Sequence, residues 1–131
     1  MTADFPRAPS LFNSPAYSQV AVVPPGATWV IVGGQNAVDE NGTIVGRDDL
    51  AAQALQVRKN LEAALAAAGC DWNSVVRVIV YLKEGTDARQ AFGVFQPALA
   101  GRAAPPLVSG VYVASLARPE FLLEVGLEAV R

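Results

Sequence analysis

Between Phe121 and Val130 the chain alternates, with Phe121, Leu123, Val125, Leu127 and Ala129 on one side and Glu124, Gly126 and Glu128 on the other. A period of two marks a strand with one dry face and one more polar face. The runs Thr28 to Gly34 and Ser74 to Leu82 (SVVRVIVYL) are different: they are β-branched, short, and apolar on both faces around Trp29 and Ile79. Only two stretches carry helical spacing. In the first, Asp48 or Asp49 offers an N-cap, Leu50, Ala54, Val57, Leu61, Leu65 and Ala68 follow at three- and four-residue steps, and Gly69 supplies a C-cap. In the second, Thr86 caps a helix to about Gln96 with Ala88, Ala91, Phe92 and Phe95 inward, weakened by Gly93 and ended with the help of Pro97. Two helices cover one side of a sheet. The apolar residues on the other side need a different cover, and further copies of the same chain are the economical one. The pattern therefore predicts an α/β (α+β) domain that self-associates.

The remaining segments complete the order. Residues 1–14 contain two prolines and no period, and read as an irregular arm; residues 15–131 read as a single domain. Tyr17 to Val23 is strand-like, and Pro24-Pro25-Gly26 predicts a turn that pairs it with Thr28 to Gly34 as a hairpin. Asn41-Gly42 predicts a tight turn. Strands are further expected over Leu107 to about Leu116 and over Phe121 to Val130.

The chain has no histidine and one cysteine, Cys70. Without histidine there is no Ser-His-Asp or Cys-His triad, and the commonest transition-metal ligand is missing. No metal and no cofactor is expected. At net charge -2 with 17% charged residues and no long basic run, the composition offers no footprint for nucleic acid or an anionic membrane. No stretch approaches the ~20 apolar residues of a membrane span, and a lone thiol fits a reducing compartment, so a cytoplasmic location is expected. With 131 residues and 52% hydrophobic content the core needs no staple.

Local motifs give little chemistry. Gly33-Gly34-Gln35 resembles the triplet of peptidyl-transfer factors but ends a strand rather than tipping a long loop, and its glycines suit close approach of a ligand or a neighbouring chain. It lacks the residues of a phosphate loop. Glu124 and Glu128 share a strand face roughly 13 Å apart, too far for a coupled carboxylate pair. Cys70 follows a helix end beside Asp71, which discourages a thiolate, and Tyr17, Tyr81 and Tyr112 read first as packing.

Taken in order, Ala16-Tyr17-Ser18-Gln19, Val30-Ile31-Val32-Gly33-Gly34-Gln35, the helix from Ala51-Ala52-Gln53 through Asn60-Leu61 to Ala68-Gly69, Val76 to Leu82, Phe92-Gly93-Val94-Phe95 and the ending Leu122 to Val130 resemble the Rid/YjgF family, the reactive-intermediate (enamine and imine) deaminases. The resemblance covers about Ala16 to Arg131. It implies a chorismate-mutase-like fold with a mixed six-stranded sheet, two helices on one face, and a homotrimer with small-molecule clefts between subunits. It also implies an arginine that grips a substrate carboxylate and a glutamate that positions water. The arginine's strand usually reads Pro-x-Arg-Ser/Thr, and Pro106-Leu107-Val108-Ser109 departs from it at Val108. In the closing Glu-x-Glu-Ala pattern, Glu124 matches the first acid and Gly126 falls at the second. Tyr17 matches the family's tyrosine, Gly33 replaces its serine, Gly34 keeps its glycine, and Gly110 stands where a cysteine is frequent. Several of these replacements are smaller than the family's residues.

The resemblance thus suggests a roomier, less charged cleft in which a small amino-acid imine would leave its carboxylate unpaired, at a cost of several kcal/mol. Substrate-binding candidates are Tyr17, Gly33, Gly34, Arg89, Val108, Gly110 and Gly126. Arg89, near a helix position that lines the family's cleft, and Glu128, one step along the strand face, are candidate substitutes for the missing groups; Tyr17 and Glu128 are the catalytic candidates. The leading expectation is a divergent enzyme acting on an imine, enamine or related electrophile. The alternatives are a trimeric ligand-binding or protein-interaction module without turnover, and a tailoring enzyme that promotes addition or cyclisation. Strand alternation places Val108 and Gly126 together on the face away from the helices.

Overall fold

A computed structural model describes residues 1–131. The elements run β1 (Trp29–Gln35), α1 (Leu50–Ala67), a 3-10 turn (Trp72–Ser74), β2 (Val75–Lys83), α2 (Ala88–Leu99), β3 (Leu107–Val113) and β4 (Leu123–Val130). The sheet has four strands in the order β1-β4-β2-β3. β4 is antiparallel to β1 and to β2, while β2 and β3 are parallel. Parallel neighbours need a crossover, and α2 supplies it.

The expectation of six strands is corrected to four, and the hairpin over Tyr17 to Val23 does not form. The prolines explain this. Pro24 and Pro25 have no N–H to give to a ladder beside the turn, and the segment before them takes other partners: Val22 exchanges both backbone bonds with Asp4 of the arm, at 2.7 and 2.9 Å. Thr28, at the start of β1, exchanges its bonds with Arg131 instead. The turn itself is present, with Gly26 at φ +83°. Asn41-Gly42 also turns as expected: Asp39 Oδ1 accepts from the backbone N–H groups of Asn41 and Thr43, and Val38 bridges Ile44.

α1 begins and ends where its sequence says. Asp49 accepts from the Ala52 N–H at 3.1 Å. At the other end Gly69 (φ +70°) lets Cys70 N–H reach Leu65 C=O at 2.8 Å and its own N–H reach Ala66 C=O at 3.0 Å, the paired bonds of a Schellman cap. α2 departs from expectation at both ends. Its cap is Asp87, which accepts from Arg89 N–H, while the Thr86 hydroxyl donates backward to Lys83 C=O. Pro97 lies inside the helix, which continues to Leu99; so near the end, the missing proline N–H removes only one bond and does not stop the last turn.

The core lies between α1 and the sheet. Val57, Leu61 and Leu65 pack on Leu123, Val125 and Leu127 of β4, with Val78 and Leu82 beside them. The alternation expected for the last strand holds: Leu123, Val125, Leu127 and Ala129 are buried, and Glu124, Gly126 and Glu128 are not. The far face of the sheet is apolar and open, with Ile31 75% exposed and Trp29 49% exposed. No helix is long and apolar enough to cross a membrane.

Candidate active site

The register of β3 decides what surrounds Val108. Val108 pairs with Val78, Gly110 with Val80 and Tyr112 with Leu82, and paired residues share a face. Val78, Val80 and Leu82 belong to the helix side. Val108 therefore faces α2, whereas Gly126, opposite Ile79, faces away from the helices. This corrects the expectation that the two lie on one face: the alternation within each strand was read correctly, but the phase of β3 relative to β4 is set by the pairing through β2.

Val108 borders an apolar notch of about 40 Å³ between β3 and α2, lined only by hydrophobic side chains, among them Val80, Phe92, Phe95 and Leu99. Phe92, Phe95 and Leu99 also line an open cleft of about 600 Å³ that continues past Ala16, Gln96, Arg102 and Pro105. Phe92 is 53% exposed where the two meet.

Ser18, next to Tyr17, fastens its segment to the residues just before β3. Ser18 N–H donates to Pro106 C=O at 3.0 Å and the Ser18 hydroxyl to Pro105 C=O at 2.6 Å. Tyr17 lines a hollow of about 160 Å³ between this junction and the arm, with Phe5, Phe12 and Ala104. It thus stands one short segment from the Val108 strand, without sharing the notch.

The other candidates lie elsewhere. Gly33 and Gly34 form a bulge in β1: Val32 pairs with Leu127 and Gln35 with Val125, so two glycines oppose the single Gly126. A side chain at Gly34 would meet only the side chain of Glu124, whose carboxylate would have to swing aside. At Gly126 an added Cβ would touch Val32 C=O at an ordinary 3.4 Å, and Gly33 and Gly110 are open. Glu128 is held by Arg77 at 3.0 Å. Arg89, its side chain 89% exposed, folds back on Asp87 at 2.9 Å and reaches none of the hollows described; this hydrogen bond holds the Asp87 carboxyl below its usual range and raises the guanidinium. A single chain therefore does not bring Arg89 or Glu128 to Val108. Tyr112 has a structural task, its phenol oxygen accepting from Ala88 N–H at the start of α2.

Sequence reasoning missed Arg102. Its guanidinium donates to the carbonyl oxygens of Ala104, Trp72 and Val75 and stands 5.7 Å from the centre of the Phe5 ring. The five ion pairs of the chain involve Arg47, Arg58, Arg77, Arg89 and Arg118 but not Arg102. Burial lowers its pKa, opposed by the charge of Asp71. The signal was a lone arginine in the small-residue loop Ala100 to Pro106, where nothing else needs a charge.

A four-stranded sheet, two helices on one face and an open cleft at the β3 edge define an α+β domain of small-molecule-binding proportions. The comparisons with known proteins make this specific. The family model described as Endoribonuclease L-PSP matches residues 9–131, and the chain belongs to that family, the Rid/YjgF proteins. A RutC family protein of Synechocystis is 35% identical over 103 residues, 78% of each chain; Protein DfrA of Myxococcus xanthus is 34% identical over 102 residues, 78% of this chain and 76% of that one. Among solved structures, the Rid protein YyfB of Yersinia pestis, itself described as of unknown function, superposes with a TM-score of 0.86 at 30% identity over 100% of both chains. Escherichia coli TdcF, solved with bound serine, superposes with a TM-score of 0.70 at 27% identity, covering 100% of this chain and 98% of that one.

Proposed function

We propose that this Rid-family protein hydrolyses an imine, enamine or related electrophile that presents no small amino-acid carboxylate at its reacting end, and that it works as a homotrimer with clefts between subunits. The observation that carries the reading is Val108: the position where the family resemblance expects a carboxylate-gripping arginine is built into a notch with no polar lining. Burying an unpaired carboxylate there costs several kcal/mol, whereas an alkyl group gains by contact.

The chemistry asks little of the protein. Water adds to the electrophilic C=N carbon, the resulting amino alcohol collapses, and ammonia leaves with a carbonyl product. Orientation of water and substrate by the Tyr17 phenol and by backbone groups near Gly33, Gly34 and Gly110 is the contribution assigned to this chain. Self-association supports the scheme in two ways. It covers Trp29 and Ile31, each exposed on the far face, and a cleft between copies joins the helix-side wall of one subunit to the Gly34, Glu124 and Gly126 wall of another. The serine bound to TdcF supports a small-molecule ligand for the family. The chain's lack of histidine and its net charge of -2 favour that over an RNA substrate.

The notch contains no acid or base, and this observation favours a second reading, a binding module without turnover. Generating 2-imino acids and uncharged alkyl imines in situ and measuring ammonia release separates the two. The proposal expects release from uncharged imines and little from small 2-imino acids, whose carboxylate would have to sit at Val108, with Val108→Arg shifting the preference toward those acids. Rapid turnover of small 2-imino acids by the native protein would overturn the role given to Val108, and binding without any release would leave the module.

A further inference from the structure

We propose that Arg102 is the ligand-binding cation of the open cleft: it holds the carboxylate of a ligand whose apolar tail runs past Phe92 into the notch at Val108. The inference rests on the reading of this cleft as the ligand site and specifies its ligand class, a carboxylate separated by several carbons from a branched alkyl end.

Three observations support it. First, Arg102 lines the same cleft that the notch opens into, with Phe92, Phe95 and Leu99 common to both. Second, its guanidinium is oriented in advance. An arginine has five N–H donors; three are spent on the carbonyls of Trp72, Val75 and Ala104, and two have no protein partner. A guanidinium fixed in this way loses little freedom when it takes a carboxylate. Third, no carboxylate pairs with the charge directly, Asp71 acting on it only from beyond ion-pair distance. Arg102 is only partly exposed and takes part in none of the ion pairs, so an incoming anion relieves an electrostatic cost that a neutral ligand leaves in place. The apolar notch fixes the other end, because its 40 Å³ takes the methyl groups of a branched chain but not a ring: dry cavities that hold benzene are about 150 Å³. Polarity is thereby reversed relative to a small amino-acid ligand at Val108, with carbon at the strand and charge at the α2–β3 loop.

The test uses 4-methylpentanoate and its uncharged amide, 4-methylpentanamide, titrated into the full chain while backbone and arginine Nε–H resonances are followed by NMR. The expected result is saturable binding of the acid, with the Arg102 Nε–H and the Phe92 and Val108 amides shifting together, and an affinity about tenfold or more above that of the amide. Val108→Leu, which adds one carbon toward the notch, is expected to weaken the acid by a similar factor. Arg102→Lys keeps the charge but loses the fork, and is expected to narrow the difference between acid and amide. Should that variant fail to fold, the acid–amide comparison on the native chain still decides. Equal affinity for the two ligands, or shifts confined to residues outside the cleft, overturns the proposal. Failure here is distinct from failure of the hydrolytic reading: turnover of uncharged imines without acid–amide discrimination removes only Arg102, and carboxylate binding without imine turnover removes only the hydrolysis.

Discussion

Gln53 is wholly buried, the one polar residue in the core, and it gives the sharpest test of how the site's framework is held. Its amide nitrogen donates to Gly46 C=O at 3.1 Å and to Glu120 C=O at 2.9 Å, and its oxygen accepts from Leu122 N–H at 2.9 Å. Of these, Glu120 C=O and Leu122 N–H have no other partner, whereas Gly46 C=O also accepts from Asp49 N–H at 3.0 Å. In Gln53→Leu the volume is roughly kept and two backbone groups lose their partner. At about 1 kcal/mol for each such group, the variant should lose roughly 2 kcal/mol, a sizeable share of the ~5–15 kcal/mol expected for a domain. Gln53→Glu is the more discriminating change. It keeps an acceptor for Leu122 N–H but turns a carboxylate oxygen toward two carbonyl oxygens, so it should be at least as destabilising at neutral pH and recover part of the loss in acid, where the protonated carboxyl donates again. Urea unfolding at matched protein concentration measures both, the match being needed because the proposed self-association would add to apparent stability. Losses below about 1 kcal/mol for both variants would refute the reasoning, as would a Gln53→Glu variant indifferent to pH.

Other expectations are more local. Gly46→Ala should cost about 2 kcal/mol or more, because Gly46 has φ +76° and an added Cβ would lie 2.8 Å from the backbone nitrogen of Gln53; Gly34→Ala should cost less than about 1 kcal/mol, since only the flexible Glu124 side chain must move, and thermal melts of the pair check the ranking. Asp49→Ala removes the cap of α1 and should lower stability by about 1 kcal/mol in the same assay. The Asp87 carboxyl is held low first by its side-chain hydrogen bond from Arg89. A depressed folded pKa means that its contribution is complete above the ordinary carboxylate range and is lost as pH falls through the folded value. Arg89→Gln should therefore flatten the acid limb of the stability profile slightly, and high salt should do the same to the native chain. Sedimentation equilibrium should show association that weakens on Ile31→Lys, since Ile31 is exposed on the far sheet face.

The sequence was most legible where one physical period acts alone. The β4 alternation and the spacing of Leu50 to Leu65 each report a single buried face, and both are found as expected. It was least legible where backbone partners are chosen by distant segments. Tyr17 to Val23 has strand composition, yet Ser18 bonds to Pro105 and Pro106 and Val22 to Asp4, and no local pattern names those partners. The α2 cap was missed by one residue because Thr86 and Asp87 are both good caps, and the choice follows from which one has a free helix N–H in front of it. Arg102 was passed over because its partners are carbonyl oxygens, which leave no mark in sequence.

The phase of β3 carries the main consequence for function. Val108 and Gly126, the two positions where the family resemblance leads one to expect charged groups, lie on opposite faces of one sheet, tied to Val78 and Ile79 respectively. Within one chain they cannot contact the same small molecule, because a sheet lies between them. The proposed trimer resolves this, as the far face of one copy can meet the β3 edge of the next. That gives the restoring double substitution a specific meaning. Gly126 has room for a side chain, with its nearest neighbour at 3.4 Å from an added Cβ, so Gly126→Glu should fold. Val108→Arg with Gly126→Glu is expected to hydrolyse small 2-imino acids when both changes are in the same chains. About a quarter of that activity should return when chains carrying only one change are mixed one to one and reassembled at random, since a shared cleft takes one residue from each copy and only about one cleft in four then holds both. Activity in the double variant but none in the mixed assemblies would place both groups in one subunit and overturn the shared-cleft proposal.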